Sequence, residues 1–398
     1  MHPNVPHLRF PEFHGEWEKC KLGDIAILTK GSGISKDQRS ATGTPCILYG
    51  ELYTTYKSEV IDYVVSKTDI SDKNLVRSCA NDIIIPSSGE TAIDISTARC
   101  VLSPDVLLGG DLNIIRLKDG DGRFFSYQLN GVRKYDIAKI AQGVSVVHLY
   151  GESIKGLTVS FPSNKEQQKI STLLSLIDER IATQSKLIED LKKLRSAISK
   201  YLFARKDLLE TTICLSNIAT LKNGYAFQSG KYNALGKWKI LTITNVPGER
   251  YINDEVCNCI INLPDDIQDH QVLKEGDILI SLTGNVGRVS LCKDGDYLLN
   301  QRVGLLQLAK NVNQEFLYQI LSSQKFENSM IACGQGAAQM NIGKRDVESY
   351  VLPYSSNGNN ILWIAKILHS YDECIINEQR RLTLLTMQKQ YLLAQMFI

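Results

Sequence analysis

The stretch ISTLLSLIDERIATQSKLIEDLKKLRSAISKYL, residues 170–202, repeats aliphatic side chains with the spacing of a coiled coil. A second stretch, IAKILHSYDECIINEQRRLTLLTMQKQYLLAQM at residues 364–396, carries the same pattern 194 residues later (364 minus 170). The pattern positions alternate four and three residues apart, which is typical of a heptad seam. The predicted seam consists of Ile170, Leu174, Ile177, Ile181, Gln184, Ile188, Leu191, Arg195, Ile198 and Leu202, and of Ile364, Leu368, Tyr371, Ile375, Glu378, Leu382, Leu385, Lys389, Leu392 and Met396.

The seam is polar at two positions in each copy, Gln184 and Arg195 in the first and Glu378 and Lys389 in the second. A polar seam residue costs stability, but it can fix the register and orientation of the helices. If the helices pair antiparallel, one register brings Arg195 near Glu378 and Gln184 near Lys389, and we take this register as a hypothesis. A seam of this length would span about 50 Å and act as a stiff spacer. The alternative is that each helix only covers its own domain, although such a helix usually has a broader apolar face.

Outward from the helices, shorter segments also occur twice and in the same order. The matches are residues 22–31 with 215–224, residues 81–89 with 276–284, and residues 140–143 with 331–334. Each globular part mixes strand-length aliphatic runs, such as Ile83–Ile85 and Ile278–Ile280, with short helical segments. The sequence therefore predicts an α/β (α+β) fold class with a pseudo-twofold internal repeat. Two similar mixed domains would be separated by two long helices that pair along the heptad seam.

The predicted boundaries follow the proline and the polar stretch that precede each long helix. The first globular domain is expected at residues 1–163 and the central long helix at 164–207. The second globular domain is expected at residues 208–355 and the C-terminal long helix at 356–398.

Composition excludes several classes of protein. The 398 residues carry a net charge of only +2, so a DNA-binding face would have to be a local patch. No apolar run of about 18 residues is present, so we expect no membrane span and a cytoplasmic location. The ten cysteines are scattered, and the lone pair Cys257 and Cys259 has no histidine nearby. Buried free thiols are therefore favoured over a metal site, and no metal ligand is predicted.

Sequence motifs of the common nucleotide- and DNA-processing enzymes are absent. Gly-Lys pairs occur at residues 230–231, 236–237 and 343–344, but none is followed by the serine or threonine of a phosphate-binding loop. No Asn-Pro-Pro-Tyr-like tetrad for base methylation occurs, and neither Pro-Asp pair is followed by the acid-x-Lys of a metal nuclease. His148 has no recognisable nucleophile around it. We therefore predict no catalytic residues and a chain that is not an enzyme.

Two similar domains on a rigid spacer form a device that can hold two reading modules at a fixed distance. Modules on one face of double-stranded DNA lie about one helical turn apart, roughly 34–36 Å, which the helices are long enough to set. Because the two domains differ in most residues outside the matched segments, we expect them to read different half-sites. The target would then be bipartite and asymmetric.

Several motifs carry a resemblance to a known family. They are the N-terminal segment Leu8–Trp17 before Lys21-Leu-Gly-Asp24, the Asp-Ile strands at Asp82 and Asp277, the glycine loops at Gly143 and Gly334, and the pattern Pro162-x-x-x-Glu166-Gln167-x-x-Ile170. In this order across two copies, the chain resembles the specificity (S) subunit of type I restriction–modification enzymes. The second copy departs from the pattern, because residues 353–361 lack the Glu-Gln pair.

The resemblance implies a non-catalytic subunit that binds double-stranded DNA through two target-recognition domains. It implies that these domains are joined by two long helices that form an antiparallel coiled coil. It also implies that the helices dock two modification (methyltransferase) subunits, and that restriction (translocase/endonuclease) subunits join for cleavage. S-adenosylmethionine, ATP and magnesium would belong to those partners, with no cofactor in this chain. Two alternatives stay open at this point: a coiled-coil assembly scaffold that never binds DNA, and an enzyme with an unfamiliar site.

Candidate DNA contacts are polar side chains on the loops that follow the repeated strands, since base reading needs donors and acceptors on loops or helix ends. In the first domain they are Ser87, Ser88, Glu90, Thr91, Gln142, Ser145, His148 and Tyr150. In the second domain they are Thr283, Asn285, Arg288, Gln335, Gln339, Asn341 and Lys344. Contacts to phosphate are expected from Lys30, Lys36, Arg39, Lys222 and Lys231. For each residue taken singly, the alternative is an ordinary solvated loop side chain.

Overall fold

The structure is a computed structural model, and it describes residues 4–71, 74–334 and 340–398. Packing divides the chain into two compact units. Unit 1 consists of Met1–Ser185 and Arg380–Ile398, and unit 2 consists of Lys186–Gln379. Because the division crosses both long helices, each unit contains one half of each helix.

Unit 1 combines several small sheets with short helices and the first part of a long helix. Its strands are β1 (Glu18–Lys21), β2 (Ala26–Lys30), β3 (Thr44–Ile47), β4 (Val60–Ile61), β5 (Lys67–Thr68), β6 (Asp82–Pro86), β7 (Ser88–Gly89), β8 (Arg99–Val101), β9 (Leu107–Leu108), β10 (Leu112–Leu117), β11 (Val147–His148) and β12 (Thr158–Phe161). Its helices are α1 (Leu22–Ile25), α2 (Glu51–Thr54), α3 (Ala92–Ile95), α4 (Gly122–Asn130), α5 (Lys134–Ile140), α6 (Gly151–Lys155) and the beginning of α7 (Asn164–Ala204).

The main sheet of unit 1 has the strand order β2-β10-β6-β8-β4. Successive side chains of a strand point to opposite faces, so the aliphatic run of β6 serves two cores. Ile83 and Ile85 pack in one cluster with Phe124 of α4, whereas Ile84 packs with Ile114 in a second cluster. Both faces of β6 are therefore buried, which explains why its central residues Ile83–Ile85 are all aliphatic.

The C-terminal residues of the chain complete the first of these cores. The ring of Trp17 packs edge-on against Phe124 and Phe397, with centroid distances of 5.6 Å and 6.5 Å. Leu393 and Met396 are buried in the same cluster. Unit 1 thus consists of two segments that are far apart in sequence.

Unit 2 repeats this architecture. Its strands are β13 (Thr211–Cys214), β14 (Ala219–Asn223), β15 (Trp238–Leu241), β16 (Asn258–Ile260), β17 (Ile278–Ser281), β18 (Val289–Leu291), β19 (Tyr297–Leu299), β20 (Val303–Leu308) and β21 (Val351–Tyr354). Its helices are the end of α7, α8 (Gln314–Leu321), α9 (Gln324–Cys333), α10 (Lys344–Glu348) and the beginning of α11 (Gly358–Gln395). Short 3-10 turns lie at Lys36–Gln38 in unit 1 and at Leu215–Asn217, Ser229–Lys231, Ile243–Asn245 and Asp269–Gln271 in unit 2.

The sheets of the two units correspond strand by strand. The order β2-β10-β6-β8 in unit 1 matches β14-β20-β17-β18 in unit 2, and the order β5-β3-β9 matches β16-β15-β19. The antiparallel pair β1–β12 likewise matches β13–β21. The predicted fold class and internal repeat are therefore confirmed.

Within each unit, α7 and α11 pack antiparallel along the predicted heptad seam, as the family resemblance implies. In unit 1, Leu174 shares a cluster with Leu393, and Asp178 pairs with Lys389. In unit 2, Leu202 shares a cluster with Ile364. Each predicted seam position is buried or half-buried, so the seam is the face along which the helices pack.

The hypothesised register is wrong. Arg195 pairs with Asp372, whose Oδ1 accepts its Nε hydrogen at 3.0 Å, rather than with Glu378. Lys389 lies 2.6 Å from Asp178 Oδ1 and also contacts Glu59, rather than lying near Gln184. The physical reason is that each seam cation pairs with an aspartate flanking the seam and also contacts polar side chains of the globular domain.

The start of each long helix is fixed by different contacts. In unit 1, Glu166 accepts two hydrogen bonds from Arg9, at 2.7 and 2.8 Å, and Gln167 donates to the Pro162 carbonyl at 2.8 Å. In unit 2, Glu210 accepts the Ser356 backbone N–H at 2.7 Å. The second copy lacks the Glu-Gln pair, and the start of its helix is instead held by Glu210, which lies between α7 and β13. Among the described residues, no helix is both long enough and apolar enough to cross a bilayer.

Candidate nucleic-acid interface

In unit 1, the predicted loop residues lie around a small two-stranded sheet at the end of β6. Here β7 pairs antiparallel with β11, and Ser88 stands opposite His148. Ser87 fixes this sheet to the core, because its N–H donates to the Asp111 carbonyl at 2.7 Å and its carbonyl accepts the Leu149 N–H at 2.9 Å. Ser88 and His148, which are 60 residues apart in sequence (148 minus 88), are thereby brought side by side.

A hairpin before β11 carries the glycine of the repeated loop. Gln142 and His148 exchange backbone hydrogen bonds at 2.9 and 2.7 Å, which closes the hairpin. Gly143 has a φ of +122°, and a Cβ on it would lie 2.1 Å from the Val146 carbonyl oxygen. Only glycine fits this turn. At its tip, Val144 is 97% exposed and Ser145 is also exposed, so an apolar and a hydroxyl side chain face solvent together.

Aromatic rings flank this loop. The His148 and Tyr150 rings are stacked, with centroids 6.2 Å apart and an angle of 27° between their planes, and both side chains are exposed. Together with Ser88 and the exposed Glu90, they present flat rings, donors and acceptors on one surface. Such groups can stack on bases or hydrogen bond with base edges.

Two predicted contact residues of unit 1 have a local structural role. Ser87 is buried, with its hydroxyl 3.4 Å from the Asp111 carboxylate. Thr91 caps α3, because its hydroxyl oxygen accepts the Asp94 N–H at 3.1 Å. These contacts hold the loop in shape, and a base contact by either residue stays a prediction.

A cleft of about 1040 Å³ adjoins the loop of unit 1. It is lined by Gly33, Ile34, Ser35, Lys36, Gln38, Arg39, Leu48, Tyr49, Gly50, Glu51, Thr54, Thr55, Gly110 and Asp111. The cleft brings Lys36 and Arg39, both predicted phosphate contacts, onto the same surface as Asp111, which also contacts Ser87. Tyr49 and Asp111 also line the cleft and are not among the predicted contact residues. The signal for Asp111 was the Gly-Gly-Asp turn before β10, in which Asp111 adopts a φ of +58°.

Unit 2 builds the same loop from different side chains. Thr283 forms an isolated antiparallel bridge with Asn341, at the places occupied by Ser88 and His148 in unit 1. The Gly284 N–H donates to the Met340 carbonyl at 3.0 Å, and Gly284 has a φ of +71°. Within the described residues the Thr283 hydroxyl is buried and has no hydrogen-bond partner. The framework is thus conserved between the copies, while a hydroxyl and an amide replace a hydroxyl and an imidazole.

The other predicted residues of unit 2 are not gathered in one place. Asn285 is exposed, whereas Arg288 lies 3.5 Å from Glu327 and Lys344 lies 3.7 Å from Glu348, so both cations are paired within the unit. Gln335 and Gln339 lie outside the described residues. Among the remaining predicted phosphate contacts, Lys30 and Lys231 are exposed and Lys222 is half-buried.

The two units differ in charge at one position beside the loop, which the sequence motifs do not indicate. The Leu282 N–H donates to the Arg302 carbonyl at 3.0 Å, which is the counterpart of the Ser87–Asp111 hydrogen bond in unit 1. Arg302 is exposed and takes the place of Asp111. The position next to the loop is therefore acidic in unit 1 and basic in unit 2.

A buried polar cluster joins the helices of unit 2 to its globular part. Arg250 donates to Glu315 at 2.8 Å and to Asp372 at 2.9 Å, and Gln319 donates to Asp372 at 2.6 Å. Burial opposes the charge of Arg250, but hydrogen bonding to Glu315 prevails and raises the pKa of the guanidinium. Burial also disfavours the Glu315 carboxylate, yet the hydrogen bonds from Arg250 and Gln319 lower its pKa. Both groups are held charged, so the cluster fixes the domain on the helices.

Across residues 4–71, 74–334 and 340–398, no group of three or more His, Cys, Asp or Glu side chains is placed to hold a metal ion.

The family model of the type I restriction modification DNA specificity domain matches the chain twice, at residues 14–193 and 210–387. The chain belongs to this family. Each match spans one copy of the repeat, so the specificity-domain family accounts for both halves of the chain.

Relatives and solved structures agree with this membership. The type I restriction enzyme MjaVIII specificity subunit of Methanocaldococcus jannaschii is 25% identical over 357 residues, covering 81% of this chain and 79% of that protein. A putative type I specificity subunit of Mycoplasma genitalium is 31% identical over 224 residues, or 54% of each chain.

Two solved structures share the fold of this specificity-family chain. The crystal structure of a type I restriction–modification S subunit from M. genitalium has a TM-score of 0.64 at 19% identity and covers 99% of both chains. A structure describing complex assembly and conformational transition of the type I R-M system has a TM-score of 0.55 at 13% identity and covers 98% of both chains.

Proposed function

We propose that this chain is the specificity subunit that selects a bipartite, asymmetric site in double-stranded DNA, with each unit reading one half of it. The observation that carries the proposal is the shared loop framework with different side chains at matching positions, Ser88 and His148 in unit 1 and Thr283 and Asn341 in unit 2. Because base identity is read by the pattern of donors and acceptors, different side chains on one framework select different bases.

Cations near the loops supply the sequence-independent part of binding. Lys30 and Lys36 in unit 1 and Lys231 in unit 2 are exposed and would meet phosphates, which position a protein on the duplex without specifying sequence. With a net charge of +2, this attraction is confined to local patches.

The remaining parts of the proposal concern assembly. The paired helices set the separation of the half-sites and dock two methyltransferase subunits, and restriction subunits join for cleavage. S-adenosylmethionine, ATP and magnesium bind to those partners, while this chain is non-catalytic and works in the cytoplasm. The support for this division of labour is the family membership of the chain and its two long paired helices.

The decisive experiment is to co-express the chain with its methylation partner and to map methylated positions across a genome. The expected result is a split motif of two short half-sites with a fixed gap. A contiguous motif contradicts the proposal. Methylation without sequence preference contradicts it too and favours a scaffold that does not read DNA.

The role of the helices is tested by lengthening them. Seven residues inserted at matching points of α7 and α11 preserve the heptad phase and add about 10 Å, or roughly three base pairs. The gap of the methylated motif should widen by that amount while the half-sites stay the same. Insertion in α7 alone is the control, and it should abolish modification because the seams no longer match. An unchanged gap after the double insertion contradicts the spacing role.

A further inference from the structure

The cleft of unit 1 contains a carboxylate that is fixed from two sides. Glu51, at the start of α2, is only 6% exposed. Its Oε2 accepts the Leu48 N–H at 2.9 Å, and its Oε1 accepts the hydroxyl hydrogen of Ser66. A buried acid with this geometry keeps its position and serves as an anchor for a neighbouring cation.

That cation is Arg39. Its Nη1 lies 3.6 Å from Glu51 Oε1, and its Nε donates to the Lys36 carbonyl at 3.3 Å. The side chain is 39% exposed at the wall of the cleft. A guanidinium has five N–H donors, so these two contacts orient it and leave donors for a ligand.

The charges around Arg39 indicate whether it contacts a phosphate or a base of the DNA. Arg39 is neutralised by Glu51, and Asp111 adds a second carboxylate to the same cleft. A cation that is already paired releases few counterions from DNA, so it contributes little to phosphate binding. It still offers the paired donors that match the O6 and N7 acceptors of guanine. On the basis of the proposed function, we infer that Arg39 reads a guanine in the half-site of unit 1 and that Glu51 is its positioning residue.

Unit 2 shows that this arrangement is a property of one half only. Asn245 occupies the place of Glu51, since its Oδ1 accepts the Thr242 N–H at 2.8 Å just as Glu51 accepts that of Leu48. Its Nδ2 donates to the carbonyls of Asn253 and Val256 at 2.8 and 3.0 Å. The side chain is neutral and occupied by backbone groups, so it does not anchor an arginine as Glu51 does. The guanine requirement therefore belongs to the first half-site.

The test uses the full chain co-expressed with its methylation partner, with methylated motifs mapped for wild type, Arg39→Ala and Glu51→Gln. Arg39→Ala should reduce discrimination at one G·C position of one half-site by about 10–100-fold and leave the other half-site unchanged. Glu51→Gln should relax the same position to a smaller degree. Lys36→Ala is the matched control, expected to weaken methylation at all sites equally and to reduce the salt dependence of binding.

The outcomes separate this inference from the function on which it rests. If wild type yields no split motif, the proposed function itself fails. If wild type yields one and Arg39→Ala lowers methylation evenly at all sites, Arg39 is a phosphate contact and the inference is overturned. An unchanged motif in Arg39→Ala also overturns it. An unchanged second half-site in Arg39→Ala shows that this variant is folded, so the result stands even if the buried Glu51→Gln substitution impairs folding.

Discussion

Arg195 on α7 donates its Nε hydrogen to the Asp372 carboxylate on α11 at 3.0 Å. Lys389 and Asp178, at the equivalent positions of the other copy, repeat this pair in unit 1 at 2.6 Å. The globular domains add opposite charges, because Arg250 joins Asp372 in unit 2 whereas Glu59 joins Lys389 in unit 1. Each unit therefore keeps one cation–aspartate pair between its helices but surrounds it differently.

Removing Asp372 should destabilise unit 2 strongly. In Asp372→Ala, Arg195 and Arg250 lose their shared acid while remaining largely buried, which costs about 3 kcal/mol in the free energy of unfolding. Urea denaturation followed by circular dichroism measures this loss. Glu189→Ala, which breaks an exposed pair with Lys193, is the control and should leave the midpoint unchanged. Equal midpoints for the two variants would show that the buried pair does not stabilise the unit.

Acid should weaken unit 2 through Glu315. Because hydrogen bonds from Arg250 and Gln319 hold the pKa of Glu315 below its ordinary value of about 4.3, its contribution to stability is complete above that pH. The contribution is lost as the pH falls through the lower pKa of the folded state. Glu315→Gln should therefore show a shallower fall of stability below pH 4 to 5 than wild type. The exposed Glu249→Gln should keep the wild-type slope, and a wild-type slope in Glu315→Gln would contradict the assignment.

The hairpin tip of unit 1 should be sensitive to a single methyl group. Gly143→Ala places a Cβ against the Val146 carbonyl and forces a φ of +122° on a residue that disfavours it, so the hairpin must change shape. We expect the affinity for a duplex that contains the first half-site to fall at least tenfold, as measured by fluorescence anisotropy. The midpoint of unfolding should change little. Gly156→Ala, where the nearest atom is 3.4 Å away, is the control. Unaltered binding by Gly143→Ala would remove the hairpin from the interface.

The cysteines should divide cleanly by reactivity. Burial raises the pKa of the Cys46 thiol to about 11 and that of Cys292 to about 12, and both residues are buried, as is Cys100. Cys79, Cys333 and Cys374 are exposed. Alkylation of the native protein at pH 8 should label the exposed group within minutes and spare the buried group, as peptide mass spectrometry would show. Rapid labelling of Cys46 or Cys292 would contradict the packing of these cores.

Periodicity and repetition were sufficient to predict the long helices and the duplicated domain, whereas the antiparallel direction of the helices came from the family resemblance. Periodicity and repetition were not sufficient to predict the register, because the partners of Arg195 and Lys389 include Gln319 and Glu59, which come from distant parts of the chain. The cleft of unit 1 could not be predicted from the sequence for the same reason. Glu51 appears in the sequence as an ordinary polar residue of a short helix, and only tertiary packing buries it beside Arg39.

The two-segment construction of unit 1 affects how the protein is made. Translation runs from the N-terminus, yet Trp17 packs against Phe397, and Leu393 and Met396 lie in the same core. The domain that leaves the ribosome first must wait for the last residues of the chain, whereas Lys186–Gln379 forms a continuous unit that can finish earlier. A nascent chain would thus complete unit 2 before unit 1, with the unfinished N-terminal core exposed to chaperones in the interval.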